Sequence, residues 1–377
     1  MDFELSEEQS IFQAACRKFF ERELSPIVDE LEDADEFPAD FYRLCGRHGF
    51  LGINLPEKYG GSDADTVTCS ILIEEISRIN AGLGGTVWTG SMGGPLIIAL
   101  GTEEQQDECL PGLATGERLI ALGLTEPNAG SDTAGIQTTA REEGDYYVIN
   151  GSKTFITNGA VADKHMVVAK TDKSKGYKGI EMFIVDSDLP GVHVAKKLDK
   201  LGWRTSETVE LAYDDVRIPK KNRLGTGGLA GALDLITFGR VMMATSAVGL
   251  AQAAFEACFK YTRQREAFGR PIARFQVIRH DLARMKMQIE TGRLLVRHAA
   301  WRRDKGISHR KECAHVKYYC GEMVKEVTSK ALQMFGGYGY MNEFPVSRYL
   351  RDAQVYTIAD GASNILIEVI AREIGLG

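Results

Sequence analysis

Tyr146-Tyr147-Val148-Ile149-Asn150-Gly151-Ser152-Lys153-Thr154-Phe155-Ile156-Thr157-Asn158-Gly159 is the stretch on which the reading of the fold turns. Tyr, Val, Ile, Phe and Thr are residues that fit a pleated, half-buried surface. Asn150-Gly151 is a strong short hairpin signal, so the segment predicts two strands with a turn between them, the second ending at Asn158-Gly159. Outward from it, Met166–Ala169, Glu181–Val185, Val192–Lys196 and Thr208–Arg217 continue the strand pattern. Short strands at this spacing predict a small β-barrel or sandwich.

Both flanks read differently. Ser6-Glu7-Glu8-Gln9 and Thr102-Glu103-Glu104-Gln105 are capping boxes. After the first, Ile11, Phe12, Ala15, Cys16, Phe19 and Phe20 recur at helical spacing. The glycine-rich run from Gly82 to Gly94 predicts a break in the helical pattern. Beyond the strands, Val241–Tyr261, Gln276–Asp304, Cys313–Phe335 and a segment after Ser363 are periodic and helical. The expected architecture is α+β and multidomain: an N-terminal all-helical domain over 1–117, a central β domain over 118–224 and a C-terminal four-helix bundle over 225–377.

Composition excludes several classes. The chain has 377 residues, 44% hydrophobic and 26% charged, with a net charge of −7. That is a globular composition, and the acidic balance argues against nucleic acid as the main partner. Seven cysteines without a C-x-x-C pair read as free thiols of a reducing compartment, the cytoplasm. The seven histidines form no metal-ligand spacing, so no metal is expected. Thr245, Ser246, Gln252 and Glu256 interrupt the apolar run Val241–Phe259, which reads as a buried helix rather than a membrane span. The run Gly225-Thr226-Gly227-Gly228-Leu229-Ala230-Gly231 misses the dinucleotide spacing, lacks a βαβ context and reads as a linker.

Thr125-Glu126-Pro127-Asn128-Ala129-Gly130-Ser131-Asp132 combines hydroxyls, turn residues and a glycine at the start of the β region. A turn of this kind can aim backbone N–H groups at an anion. Together with Leu124 it resembles the L-T-E-P-x-A-G-S-D signature of acyl-CoA dehydrogenases. Asn150–Gly159 resembles that family's N-G-x-K-x-[WF]-I-T-N segment, Arg263–Gly269 its R-x-x-F-G motif, Gln333–Tyr340 its Q-x-x-G-G-x-G-[FY] motif and Arg351–Ile358 its R-D-A-x-x-x-x-I motif. The five occur in family order over nearly the whole chain.

The resemblance implies bound FAD and a homotetramer. It implies that Leu124 and Thr125 face the flavin pyrimidine edge, that Phe155 packs on the ring and that Thr157 reaches N5. Gly130 and Ser131 fall where the family meets the cofactor or CoA. Arg265, Phe268 and Gln276 match positions at the FAD diphosphate and ribose, and Gln333 and Gly337 positions that reach the adenine of a neighbouring subunit's FAD. Arg240 matches a CoA-contacting arginine, and Gly361 lies beside the base. Independently, the strand alternation can send Phe155 and Thr157 to one side.

The implied reaction removes an α-proton and a β-hydride from an acyl-CoA, with electron-transfer flavoprotein as acceptor. The family's base is usually Glu in [YF]-E-G-T; here Ala359-Asp360-Gly361-Ala362 stands in its place. The family's second base location falls on Gly239. Asp is shorter by one methylene, about 1.5 Å, and a misplacement of about 1 Å can cost ~100-fold in rate. Asp360 is therefore either the base for a substrate whose α-carbon lies closer, or a turn residue of an altered enzyme. Asp at this position is similar to cyclohexanecarboxyl-CoA dehydrogenases, which implies an alicyclic acyl group; a short- or branched-chain acyl-CoA is the alternative. Thr89–Pro95 holds no carboxylate, which favours ordinary α,β elimination. An oxidase or flavin monooxygenase on the same scaffold, and a catalytically weak acyl-CoA-binding protein, are competing readings. Ala362 and Ala267 each stand where the family has a threonine hydroxyl.

Overall fold

The computed structural model describes residues 4–225 and 228–376. Seven helices open the chain: α1 (Glu7–Glu23), α2 (Val28–Ala34), α3 (Ala39–Arg47), α4 (Thr66–Ile79), α5 (Ala81–Ser91), α6 (Gly93–Leu100) and α7 (Glu103–Thr115). Both capping boxes form. Ser6 Oγ accepts from the Gln9 N–H at 3.1 Å, and the Gln9 side chain accepts from the Ser6 N–H at 3.2 Å; Thr102 and Gln105 repeat the exchange.

The glycine-rich run departs from its expectation. Gly82 to Gly94 is helical on both sides of Met92, and the Asn80 side chain caps α5 by accepting from the Leu83 N–H at 2.9 Å. The glycines serve close packing instead. A Cβ on Gly85 would stand 2.3 Å from the Trp203 ring, and one on Gly82 would stand 2.4 Å from Thr205 Oγ1.

The strands are β1 (Ile120–Gly123), β2 (Thr139–Glu143), β3 (Tyr146–Thr157), β4 (Lys164–Lys170), β5 (Ile180–Asp186), β6 (Val192–Lys197), β7 (Thr208–Pro219) and β8 (Arg223–Leu224). They form one sheet in the order β6-β7-β3-β2-β4-β5-β8, with β1 on β4. The path ends at β6 and β8, so among the described residues it is an open sheet rather than a closed barrel.

Asn150-Gly151 is not a turn. β3 runs straight through it, and β7 bulges opposite, between the pairs Ile149–Val216 and Gly151–Tyr213. Asn150 holds that bulge with its side chain: its Nδ2 donates to Asp215 Oδ1 at 2.9 Å and its Oδ1 accepts from the Asp215 N–H at 3.0 Å. The hairpin sits earlier, at Gly144-Asp145, where Glu143 pairs with Tyr146 and Gly144 has φ 57°. A Gly-Asp pair is a weaker hairpin signal than Asn-Gly, but glycine there supplies the positive φ that the turn demands.

The last third holds α8 (Gly228–Gln264), α9 (Gln276–Asp304), α10 (Arg310–Phe335), α11 (Pro345–Ala353) and α12 (Ser363–Glu373). The glycine run read as a linker contributes Gly228 to the first turn of α8; Thr226 and Gly227 lie outside the described residues. α8 is long and apolar enough to cross a membrane, yet it packs on α4, α9 and α10 with Val241–Ala254 almost wholly buried. It is the core helix of the bundle. Ser77 of α4, Ser246 of α8 and Tyr356 join in a buried hydroxyl chain at 2.8 and 2.6 Å.

Gly85→Ala is expected to lower unfolding free energy by about 1–3 kcal/mol, since the added methyl forces Trp203 out of place; urea unfolding of the flavin-loaded protein measures it.

Candidate active site

The segment after β1 is fastened to β3 by a buried ion pair. Lys153 is fully buried, and its Nζ donates to Glu126 Oε1 at 2.7 Å and to the Leu124 carbonyl at 3.1 Å. Burial pushes the Lys153 ammonium down to about 8, against the pull of Glu126. Burial also works to raise the Glu126 carboxyl, but hydrogen bonds from Lys153, Thr138 and Gln137 outweigh it and hold the group below its ordinary value. Glu126 and Ala129 exchange backbone hydrogen bonds at 3.1 and 3.0 Å, closing a tight turn over Pro127-Asn128. The turn leaves Gly130 and Ser131 exposed.

β3 carries a bulge of its own next to Lys153. Thr154 and Phe155 together oppose Glu210, between the pairs Lys153–Leu211 and Ile156–Val209. The freed Thr154 N–H donates to the Thr125 carbonyl at 2.9 Å. Phe155 sits at φ 59° and is 68% exposed, while Ile156 is buried and Thr157 half-buried. Phe155 and Thr157 thus share the outer side, as alternation predicts. Their shared side depends on a bulge that the alternation itself does not reveal.

Asn158, at φ 61°, joins this edge to the helical domain. Its Nδ2 donates to the Thr86 carbonyl at 3.2 Å and to Thr89 Oγ1 at 3.0 Å. From α5, the Trp88 ring meets Phe238 of α8 edge-on at 4.8 Å. Phe238 precedes Gly239, and a Cβ on Gly239 would lie 3.4 Å from Asp360 Oδ2. The two positions at which the resemblance locates a base therefore converge on one point. Here the carboxylate comes from Asp360 and the bare backbone from Gly239.

Asp360 and Gly361 have φ of 52° and 104°, so the turn expected of Asp-Gly is real, and it also presents the carboxylate to α8. Arg240 Nε donates to the Asp360 carbonyl at 3.3 Å. Lys317 of α10, fully buried, donates from Nζ to the Gly361 carbonyl at 2.7 Å. Burial raises the Asp360 carboxyl above its ordinary value, with Lys317 and Arg240 pulling the other way. A desolvated carboxylate with a raised pKa is suited to accept a proton. Ala362 caps α12 without a side-chain hydrogen bond, so the hydroxyl missing there is missing from a helix N-cap.

Sequence reasoning passed over Lys317, Lys153 and Asn158. Lys317 had a signal: it shares the apolar face of its helix with Cys313, Cys320 and Val324, all buried, where an unpaired lysine is costly.

The remaining candidate residues cluster elsewhere. Arg265, Gln333 and Gly337 line one surface cleft of about 430 Å³ with Tyr261, Phe335 and Tyr338. The Arg265 guanidinium stacks over Tyr338 at 5.7 Å. Phe268, at φ 52° and 94% exposed, meets Phe275, which precedes Gln276 at the start of α9. Ala267 pairs with Arg270 in a two-residue ladder beside it. Arg240 lies in the first half of α8, and Arg265 directly follows its last residue, Gln264. At about 1.5 Å rise per residue they are roughly 37 Å apart. One chain does not bring this cluster to Asp360.

Residues 6–117, 121–216 and 226–375 match the N-terminal, middle and C-terminal domains of acyl-CoA dehydrogenase. The chain belongs to the acyl-CoA dehydrogenase family, FAD-dependent oxidoreductases. It is 40% identical over 373 residues to 3-(aryl)acrylate reductase of Clostridium sporogenes, covering 98% of this chain and 99% of that protein. To the caffeyl-CoA reductase-Etf complex subunit CarC of Acetobacterium woodii it is 39% identical, over 97% of this chain and 98% of that one. The structure of butyryl-CoA dehydrogenase from Megasphaera elsdenii superposes with a TM-score of 0.97 at 39% identity, covering 99% and 100% of the two chains.

The residues fit the flavin that the family binds. Phe155 offers an open ring face, and the Thr125 and Thr157 hydroxyls make no hydrogen bond among the described residues. The buried Asn158 Oδ1 likewise has no partner there.

Lys153→Met removes one member of a buried pair and leaves Glu126 an uncompensated charge. The expected loss is about 3–5 kcal/mol, read by thermal unfolding, with flavin retention falling in parallel.

Proposed function

We propose that this family member interconverts a saturated acyl-CoA thioester and its α,β-unsaturated product, with Asp360 as the proton-transferring base. The observation that carries the reading is the Asp360 carboxylate, partly desolvated and standing over Gly239. Bound FAD supplies a two-electron acceptor for the β-hydride. Phe155, Thr157, Thr125 and the Leu124 backbone would hold its ring system; Gly130 and Ser131 would contribute to holding its pyrophosphate or the CoA. In the forward direction the Asp360 carboxylate takes the α-proton while Arg240 orients the CoA portion. In the reverse direction the protonated Asp360 returns that proton to the α-carbon. The acrylate- and caffeyl-CoA reductases among its relatives support the reverse sense as a second working direction.

For the acyl group we propose a compact chain with width close to the thioester. Support comes from this chain's own residues: a short carboxylate, Ala359 beside it and no side chain at 239. The cyclohexane ring read from the sequence draws no support from relatives named for butyryl, caffeyl and aryl-acrylate groups; it stays one member of the wide-acyl class.

Electron-transfer flavoprotein is the proposed redox partner, supported by the Etf-complex relative. A homo-oligomer, a tetramer by family resemblance, is proposed because the Arg265–Gln333–Gly337 cleft, with Phe268 and Gln276, is too far along α8 to serve its own chain's flavin ring. A cytoplasmic location is part of the proposal, supported by the seven free cysteines.

Asp360→Asn is expected to slow anaerobic flavin bleaching by about 10²–10⁴-fold; bleaching at the wild-type rate refutes the assignment. The base works ionised, and its carboxyl is raised, so kcat/KM holds at high pH and falls as pH drops through a value above the ordinary carboxylate range of about 4; a pH profile measures that limb. In a bleaching panel of butyryl-, isobutyryl-, cyclohexanecarbonyl-, 3-phenylpropionyl- and palmitoyl-CoA, preference for palmitoyl-CoA would sink the compact-acyl reading.

A further inference from the structure

Asp360 and Gly361 form the turn that presents the carboxylate, and both carbonyls of that turn are held by cations from different helices. Arg240 of α8 holds the carbonyl of residue 360 at 3.3 Å. Lys317 of α10 holds the carbonyl of residue 361 at 2.7 Å. Lys317 is 1% exposed and, among the described residues, forms no ion pair within 4 Å. A lysine so placed carries a large desolvation cost, and burial pushes its ammonium down to about 8, offset in part by Asp360 and Glu322. A hydrocarbon would fill the same space without that cost. α10 also comes unusually near this segment: a Cβ on Gly321, one turn after Lys317, would stand 2.7 Å from the Tyr356 carbonyl oxygen.

We propose that Lys317 is a positioning residue for the Asp360 base: it pins the Gly361 carbonyl and supplies, together with Arg240, the positive field in which the carboxylate works. The inference rests on the reading of Asp360 as base. Its logic is a division of labour. Desolvation makes the carboxylate more basic, and taken too far it would leave the group protonated and idle at neutral pH. Two cations that touch the turn through its carbonyls limit that rise without neutralising the carboxylate by a direct salt bridge. The charged groups around Lys317 are Asp360 from the turn, Arg240 from α8 and Glu322 from its own helix. Around Arg240 they are Asp360 and Arg310, with the titratable thiol of Cys313 also nearby.

The sign follows. Removing the Lys317 charge lets burial raise Asp360 further, so the acid limb of kcat/KM moves to higher pH. The test uses flavin-loaded Lys317→Met and Lys317→Gln beside Asp360→Asn, with butyryl-CoA or whichever panel thioester bleaches the wild type fastest. The expected result is a bleaching rate at least tenfold lower at pH 7, a KM within about threefold, and an acid limb displaced upward by about one pH unit. Asp360→Asn inactive with an unmoved limb in a folded Lys317 variant overturns this inference and leaves the base reading standing. Asp360→Asn at the wild-type rate removes the base reading and this inference with it. Failure of both Lys317 variants to fold with flavin makes the residue a stability determinant only, and likewise overturns the proposal.

Discussion

The Lys153–Glu126 pair is the constraint from which the proposed flavin-facing half of the site follows. Two opposite charges stripped of water hold each other only where geometry is good and further hydrogen bonds satisfy the carboxylate. Here Lys153 also reaches the Leu124 carbonyl, and Glu126 accepts from the Thr138 N–H at 3.0 Å. The pair thus locks the turn at 124–129 onto β3 at one point. Next to that point β3 must bulge, because Thr154 turns its N–H toward Thr125 instead of along the ladder. The bulge is what lifts Phe155 out of the sheet. An exposed aromatic ring at positive φ is costly in isolation; the fastening around it makes it affordable.

From β3 the constraint passes to the helices by contact. Asn158 grips α5, Trp88 of α5 meets Phe238 of α8, and Gly239 of α8 faces the Asp360 carboxylate. The first two links each cross from one domain to another and the third lies within the C-terminal domain, so the two faces are set against each other by packing rather than by one continuous element. The glycines of α5 belong to the same argument. They let Trp203 lie against that helix, and the Trp203 ring meets Tyr356, four residues before Asp360, at 5.6 Å.

Periodicity and capping signals were enough for the three-part architecture, since helix and strand patterns are local. The hairpin was misplaced because Asn150 and Gly151 carry turn chemistry that tertiary contact redirected: the Asn150 side chain serves a bulge on a neighbouring strand. The Gly82–Gly94 run read as a break for a related reason, its glycines answering to Trp203 and Thr205 far along the chain. The resemblance pointed to the motif residues, but the backbone that presents them was not legible. Phe155, Phe268 and Asp360 all sit at positive φ, a state that no sequence pattern predicts for phenylalanine. Lys317 and Lys153 are buried cations whose partners are backbone carbonyls or distant carboxylates, and such pairs leave no spacing to read.

A shortened carboxylate at position 360 has its physical explanation in two neighbours. Asp is among the few side chains that tolerate left-handed backbone at low cost, so a turn with φ 52° at 360 suits it better than it suits glutamate. That turn brings the carboxylate to α8 at the residue that has no Cβ. A side chain at 239 would begin 3.4 Å from Oδ2, in contact already with its first carbon, and every further atom would displace the carboxylate or fill the space beside it. Asp at 360 and glycine at 239 are thus two parts of one arrangement: the backbone supplies the approach that the missing methylene cannot, and the empty position keeps the approach open.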